Sequence, residues 1–314
     1  MFQKLIDKNQ IWVRKGRICG RDTWNLEWHK LNTQLPIPYL LDDNRLRLYI
    51  TLCDSENRGR LGFVDVNPSN PSEIIDYSRE PLLDIGKKGC FDENGVVSTA
   101  ILEENGKIYI YYCGFQKHVN YPYSSLAGVA VSEDGGYSFS RIKETPMLER
   151  KDGEMFIRTG VGIYKFNDVY RIYYASGNEW ISVQNKLVPK YSFRYIDSDS
   201  PICFEGNGKN LFPLENDEFG MTTPQIWENS KGYEMIYSLR TVSGGYCMGY
   251  AFSENGIDFT RNDKIMSFSR PTEAFDSKMV CYGKCYRYGE RTYLFYSGNH
   301  YGMDGIGWAE LKEK

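Results

Sequence analysis

An aromatic-rich strand pattern returns five times along this chain, at residues 45–50, 108–112, 170–174, 233–237 and 292–296. The runs end on Ile50, Tyr112, Tyr174, Tyr237 and Tyr296, so successive steps are 62, 62, 63 and 59 residues. A fixed period of this size marks a repeat architecture. Five such units nearly fill the 314 residues, which assigns 1–314 to a single domain.

Local chemistry inside each unit reads as strand and turn. Each run is rich in β-branched and aromatic residues and follows a turn such as Asn105-Gly106 or Asn167-Asp168, which supplies the positive φ of a tight hairpin. Apolar strands flank the pair. Residues 132–139, from Ser132 through Asp134 to Phe139, have the spacing of an Asp-box turn, and the pattern returns at 253–259 and more weakly at 198–204. Its Asp or Asn bonds backbone N–H groups and its aromatic plugs the hairpin, so it reads as structural. Two hairpins per unit predict an all-β fold, a five-bladed β-propeller of four-stranded antiparallel blades around a central channel. No sustained helical period competes with this. A β-sandwich explains the short strands but not the period, and a β-helix is the other alternative.

Charge and composition narrow the partners. The net charge of −3 and pI near 5.8 argue against nucleic acid, which calls for a basic face. No apolar run approaches 18 residues, so no membrane span is expected. The segment from Met1 to Lys8 has no apolar core of signal-peptide length, which points to a cytoplasmic protein. The eight cysteines form no C-x-x-C pair and read as reduced core residues. His29, His118 and His300 lack metal-ligand spacing, so neither metal nor cofactor is expected. Oligomeric state is open; a monomer is compatible with closure of the ring, which removes sheet edges.

Counting back 20 residues from each run's end gives Lys30, Asp92, Glu154, Asp217 and Asp276. In a propeller this is the leading end of the innermost strand, so four acids would converge on the channel. Glycosidic bond cleavage requires two carboxyls with opposite duties, one protonated and one ionised. Loops at the same level supply candidate substrate-binding residues: Trp28, His29, Gln34, Arg60, His118, Asn120, Trp180, Arg240, Asn299, His300 and Tyr301. Tyr121 and Tyr123 join the two tryptophans as rings in polar loops on which a sugar face can stack. An Arg at 60 or 240 suits a carboxylate or phosphate.

The five-fold period, Phe91-Asp92 with Asn94-Gly95-Val96, the turn at Ser132, Phe275-Asp276-Ser277 and the run from Phe295 to Gly302 carry a resemblance. Together they resemble a bacterial glycosidase-like five-bladed propeller family. That family is similar in fold to glycoside hydrolase families 43 and 32 and is often encoded beside surface-polysaccharide genes. The resemblance implies a carbohydrate-active enzyme that cleaves or transfers a glycosidic bond. Matched by position, Glu154 would be the general acid and Asp92 the base or nucleophile. The first unit departs, with His29-Lys30 where an Asp would stand, so Asp276 would supply the missing carboxylate. The alternatives are a cytoplasmic glycosyl- or phosphosugar-transferring enzyme, with Arg60 and Arg240 on phosphate, and a non-catalytic glycan-binding propeller.

Overall fold

The computed structural model describes Ile6 and residues 9–314. The rest of the Met1 to Lys8 segment, on which the export expectation rests, lies outside the described residues. In chain order the strands are β1 (Gln10–Cys19), β2 (Thr33–Asp42), β3 (Arg45–Cys53), β4 (Gly59–Asn67) and β5 (Asn70–Tyr77). Then come β6 (Val96–Glu104), β7 (Lys107–Lys117), β8 (Tyr123–Ser132) and β9 (Ser140–Arg141). They are followed by β10 (Ile157–Phe166), β11 (Val169–Val183), β12 (Lys186–Ser198) and β13 (Lys209–Asn210). The last seven are β14 (Glu218–Asn229), β15 (Gly232–Thr241), β16 (Gly245–Ser253), β17 (Thr260–Arg261), β18 (Cys281–Tyr288), β19 (Arg291–Ser297) and β20 (Ile306–Glu313). Helix among the described residues is confined to two four-residue turns, Asp263–Met266 and Asn299–Gly302. The fold is all-β.

The recurring runs are β3, β7, β11, β15 and β19, the second strand of each group. They are continuously apolar because an interior strand is covered on both faces; in β3 every residue after Arg45 is buried.

The chain forms two compact units. Unit 1 comprises residues 1–82, 227–238 and 246–314. Here β2-β3-β4-β5 make one antiparallel sheet, and β18-β19-β20 make another whose fourth strand is β1. The register of that closure runs from Gln10↔Glu313 to Cys19↔Ile306. The first strand of the chain therefore completes the last sheet. One core gathers Trp12, Trp227, Ile236, Met248 and Leu294, and another Leu46, Leu48, Ile50, Val64 and Phe295.

Unit 2 comprises residues 83–226 and 239–245. Its strands β6-β7-β8 and β10-β11-β12 are antiparallel, with β9 on β8 and β13 on β12. Two short parallel contacts join these groups: β8 meets β10 at Ser125↔Ile157 and Leu126↔Arg158, and β12 meets β14 at Tyr191↔Gly220. Instead of the five separate four-stranded sheets expected, the first and last groups form four-stranded sheets and the remaining strands belong to one twelve-stranded sheet. A parallel rung needs only two strands to leave neighbouring sheets side by side, which no hydrophobic pattern announces. The core here contains Tyr111, Val129, Leu148, Ile172 and Phe204.

The turn at Ser132 is built as its sequence implies. Asp134 Oδ1 accepts N–H bonds from Tyr137 and Ser138 at 2.9 and 3.0 Å, and Phe139 is buried. Burial alone would raise the Asp134 pKa; the bonds from Ser132, Ser138 and the turn backbone hold it well below the carboxylate range. Asn255 does the same for Ile257 and Asp258. Of the cysteines, 19, 53, 113, 281 and 285 are buried, but Cys203 and Cys247 are exposed, which corrects the all-core reading. All eight are free.

Candidate functional site

The three acids stand just ahead of the first strands of their groups, and all three are fully buried. Each is held by the tyrosine 20 residues later and by an arginine. Asp92 Oδ2 accepts from Tyr112 Oη at 3.2 Å and Arg141 Nε at 2.7 Å. Glu154 accepts from Tyr174 Oη at 2.7 Å, from Arg194 and the Gly208 N–H at 3.1 Å, and lies 3.2 Å from Arg158 Nε. Asp276 accepts from Tyr296 Oη at 2.7 Å and from Arg14 at 2.9 and 3.0 Å. Burial, together with the neighbouring carboxylate, pushes each of these phenols upward, so they donate rather than ionise. Partners on both oxygens leave Glu154 and Asp276 no lone pair aimed at solvent; Asp92 Oδ1 alone is without a partner.

The fourth group builds the same clamp differently. Tyr237 Oη donates to Asp263 at 2.6 Å, and Arg261 donates to its other oxygen at 2.7 Å. Asp217, the acid found by counting, is exposed and instead accepts the Ser243 N–H at 2.9 Å in a hairpin. The first group has neither acid nor tyrosine, only Lys30 and Ile50.

Several predicted binding residues have structural partners too. His29 is buried, with Nδ1 accepting from Trp24 Nε1 at 2.9 Å. Its proton therefore sits on Nε2 and is donated to Thr33 Oγ1 at 3.0 Å. Trp28 donates to the Arg79 carbonyl, Gln34 meets the Cys53 sulfur, and Arg60 is paired with Asp54 at 2.9 Å. Arg240 lies over the Phe219 ring. Asn299 is buried; its oxygen accepts the Lys278 and Met279 N–H groups, and its amide donates to Ala274. His300 and Tyr301 are exposed, and Asn120 is exposed as well.

Burial, then the charge of Lys30, lowers the His29 pKa to about 4. The unfolded chain takes that proton near 6.5, so stability is full above that pH and is lost as pH falls toward 4. The expected loss is about 3 kcal/mol, from a shift of roughly 2.5 units at about 1.36 kcal/mol each. Urea unfolding at pH 7.5 and 4.5 reads it directly, and His29→Gln should flatten that part of the profile.

A different set of residues comes together in unit 2, at the ends of β7, β10 and β11. The Tyr121 ring stacks on His118 at 4.4 Å and tilts against Phe156 at 4.9 Å and Trp180 at 5.9 Å. Tyr123 meets the Trp180 edge at 5.5 Å. The apolar side chains of Val119 and Met155, neighbours of His118 and Phe156 in sequence, are exposed. Polar groups border the rings. His118 Nε2 is 2.8 Å from Ser124 Oγ, to which Arg150 also donates at 3.2 Å. Glu93 accepts from Gln116 at 3.1 Å and the Gly89 N–H at 2.8 Å. These bonds hold the Glu93 carboxyl below its ordinary range, with a smaller contribution from His118. Burial and then Arg150 lower the His118 pKa, so the ring is neutral near pH 7.

One polar atom of these rings, Trp180 Nε1, is buried without a hydrogen-bond partner, which costs about 1–3 kcal/mol. Gly177, whose carbonyl accepts the Phe156 N–H, also borders a cleft of about 360 Å³ lined by Ser176, Asn178, Glu179, Lys190 and Arg194. Of the predicted residues, the structure gathers His118, Tyr121, Tyr123 and Trp180 here. Glu93, Gln116, Ser124, Arg150 and Phe156 were not singled out. Glu93 is next in sequence to Asp92 but one residue out of phase with the 20-residue offset.

Unit 1 carries a smaller ring cluster. Tyr246 packs against Tyr282 at 5.3 Å and Tyr301 at 5.7 Å. Tyr282, His300 and Tyr301 all adopt positive φ, at 56°, 53° and 60°. Bulky residues there store strain of about 1–3 kcal/mol each and cluster at functional sites. Asn32 pins that strained segment by donating to the His300 and Tyr301 carbonyls at 2.9 Å. Among the described residues, no three His, Cys, Asp or Glu side chains gather in a way that could hold a metal ion. No helix among them is long and apolar enough to cross a membrane.

The all-β fold resembles that of solved glycoside hydrolases and related proteins. A glycosyl hydrolase from Bacteroides ovatus superposes with a TM-score of 0.73 at 16% identity, over 98% of this chain and 96% of its own. A structure from the GH130 family of mannoside phosphorylases gives 0.69 at 14% identity, over 98% and 96%. That family contains glycoside hydrolases that target beta-1,2 mannosidic linkages in Candida mannan. A thermostable family-43 glycoside hydrolase gives 0.64 at 15% identity, over 95% and 91%. In sequence, the chain is similar to an uncharacterized protein of Mycobacterium tuberculosis H37Rv, 26% identical over 96% of this chain and 99% of the relative. No protein-family model matches.

Proposed function

We propose that this protein is a carbohydrate-active enzyme that breaks or transfers a glycosidic bond, on a single-domain, five-bladed propeller scaffold. The five strand groups at a near-constant period support the propeller. The observation that carries the function is the aromatic basin of Tyr121, Phe156 and Trp180, bordered by Glu93, His118 and Arg150. Sugars offer an apolar face for rings and hydroxyls for polar borders, and this basin offers both.

Glu93 is ionised, so its role is that of a base on an incoming hydroxyl or water, with neutral His118 beside it to pass or receive a proton. Asp92, Glu154 and Asp276 serve this reading as frame: each is fully buried against an arginine and a tyrosine of the chain itself. Among the described residues the border of the basin holds one carboxylate, Glu93, where a glycosidase uses two.

Trp180→Ala tests the placement. Stacking of a sugar face on an indole contributes on the order of 0.5–1.5 kcal/mol beyond the area it buries, so glycan affinity should fall about tenfold, while the unfolding midpoint changes little because the ring is only partly buried. Titration of tryptophan fluorescence with oligosaccharides, repeated in the variant, provides the measurement. Unchanged affinity would remove the basin from the reading.

A further inference from the structure

We infer that the sugar seated in this basin bears an anionic substituent, a carboxylate or phosphate, recognised by Arg150. This inference rests on the carbohydrate reading above and names its substrate class. The guanidiniums of Arg14, Arg47, Arg141, Arg158, Arg194, Arg261 and Arg291 are spent on carboxylates of the chain itself. Arg150 is not. Its side chain is exposed, and its hydrogen bond is to the neutral Ser124 hydroxyl at 3.2 Å.

That bond matters for direction. Ser124 also holds His118 at 2.8 Å, so one hydroxyl ties the guanidinium and the imidazole to the same border of the aromatic platform. Arg150 is close enough to act on the His118 ring by its charge, which helps keep that ring neutral. Glu93 acts on the same ring with opposite sign, yet Glu93 and Arg150 are not paired. The carboxylate takes its bonds from Gln116 and Gly89 instead. The platform thus has an acceptor border at Glu93 and a cationic border at Arg150. A neutral sugar uses only the first fully. A planar guanidinium free to form two parallel bonds matches a carboxylate or phosphate group, and the exposed Lys151 follows it in sequence.

The test uses the full-length chain on an array of neutral, uronate-bearing and phosphate-bearing glycans, followed by titration of the retained glycan and its neutral counterpart. Retention of charged glycans, bound about tenfold or more tightly than the neutral match, is the expected result. Arg150→Gln should weaken charged glycans about tenfold more than neutral ones, which removes that preference, and Arg150→Lys should restore part of it. Because Arg150 is exposed, both variants are expected to fold, and a thermal melt checks this. Whether the retained glycans carry carboxylate or phosphate identifies the substituent. Equal binding of charged and neutral glycans, or an unchanged preference in Arg150→Gln, overturns the inference while the basin stands. Competition by inorganic phosphate at the same concentration also overturns it, since the anion is then a separate ligand. An array that retains nothing, with Trp180→Ala silent, brings down the carbohydrate reading itself.

Discussion

Glu154→Gln is expected to destabilise the protein by about 3–5 kcal/mol, the range for removing one partner of a buried ion pair. The reason lies in what remains. Arg158 is 1% exposed and Arg194 24%, so at least one guanidinium keeps its charge in a buried site with no anion. An amide makes matters worse, because its NH2 end faces the Tyr174 hydroxyl or the Arg194 and Gly208 donors. Urea unfolding should show the loss as a lower midpoint with the same slope. Tyr174→Phe, which leaves the charges paired, should cost only about 1 kcal/mol. A Glu154→Gln variant as stable as the parent but inactive would return the carboxyl to the general-acid role that the resemblance implies. Asp276→Asn should fall between, since Arg14 is 22% exposed and can find water.

The repeat itself was legible because its strands alternate apolar chemistry with turn residues that nothing else explains. The anchor tyrosines 112, 174 and 296 and the acids 92, 154 and 276 were visible as equal offsets. What the offset meant was not. A 20-residue separation says that two residues recur together; it does not say whether the acid faces a cavity or its own tyrosine. One clue lay in the first unit, where Lys30 replaces the acid and Ile50 replaces the tyrosine in the same repeat. Loss of both members together is what a mutual contact produces.

Another missed pattern was the third strand's glycine, in Leu126-Ala127-Gly128, Met248-Gly249-Tyr250 and Ile306-Gly307-Trp308. A Cβ at Gly128 would lie 2.3 Å from the Tyr112 ring, and one at Gly249 the same distance from Tyr237. At these two positions the glycine makes room for the ring whose hydroxyl reaches the acid; at Gly307 a Cβ would instead meet the Phe275 ring at 2.2 Å. Arg141 and Arg261 sit in two-residue outer strands with no apolar pattern, and Arg194 is a polar position of the alternating strand β12, so no sequence signal ties them to the acids. The basin was half legible: His118, Tyr121, Tyr123 and Trp180 stood out as rings in polar stretches that read as loops, although Tyr123 and Trp180 lie in β8 and β11. Arg150 and Phe156 belong to a different stretch of chain and meet them only through the Ser125↔Ile157 rung, which is tertiary information.

The second large effect falls on turnover rather than stability. Glu93→Gln is expected to lower the rate about 10²–10⁴-fold, the contribution of a positioned general base, on whichever glycan the basin retains. The substitution keeps the shape and one acceptor oxygen for the Gly89 N–H, so the unfolding midpoint should move little. The pH profile gives the sharper test. A base works only when ionised, and the Glu93 carboxyl titrates below its ordinary range; the parent's rate should therefore fall on the acid side only once pH drops through that depressed pKa. Acid destabilisation through His29 begins at higher pH, near 6.5, and must be separated by following the fold in parallel. In Glu93→Gln the residual rate should lose its acid limb. Asp92→Asn provides the contrast one residue away, because its carboxyl bonds Arg141 and Tyr112 instead of the basin. If Asp92→Asn stops turnover in a fully folded protein while Glu93→Gln leaves it intact, the two neighbours have been assigned the wrong way round, and the chemistry belongs to the buried acid.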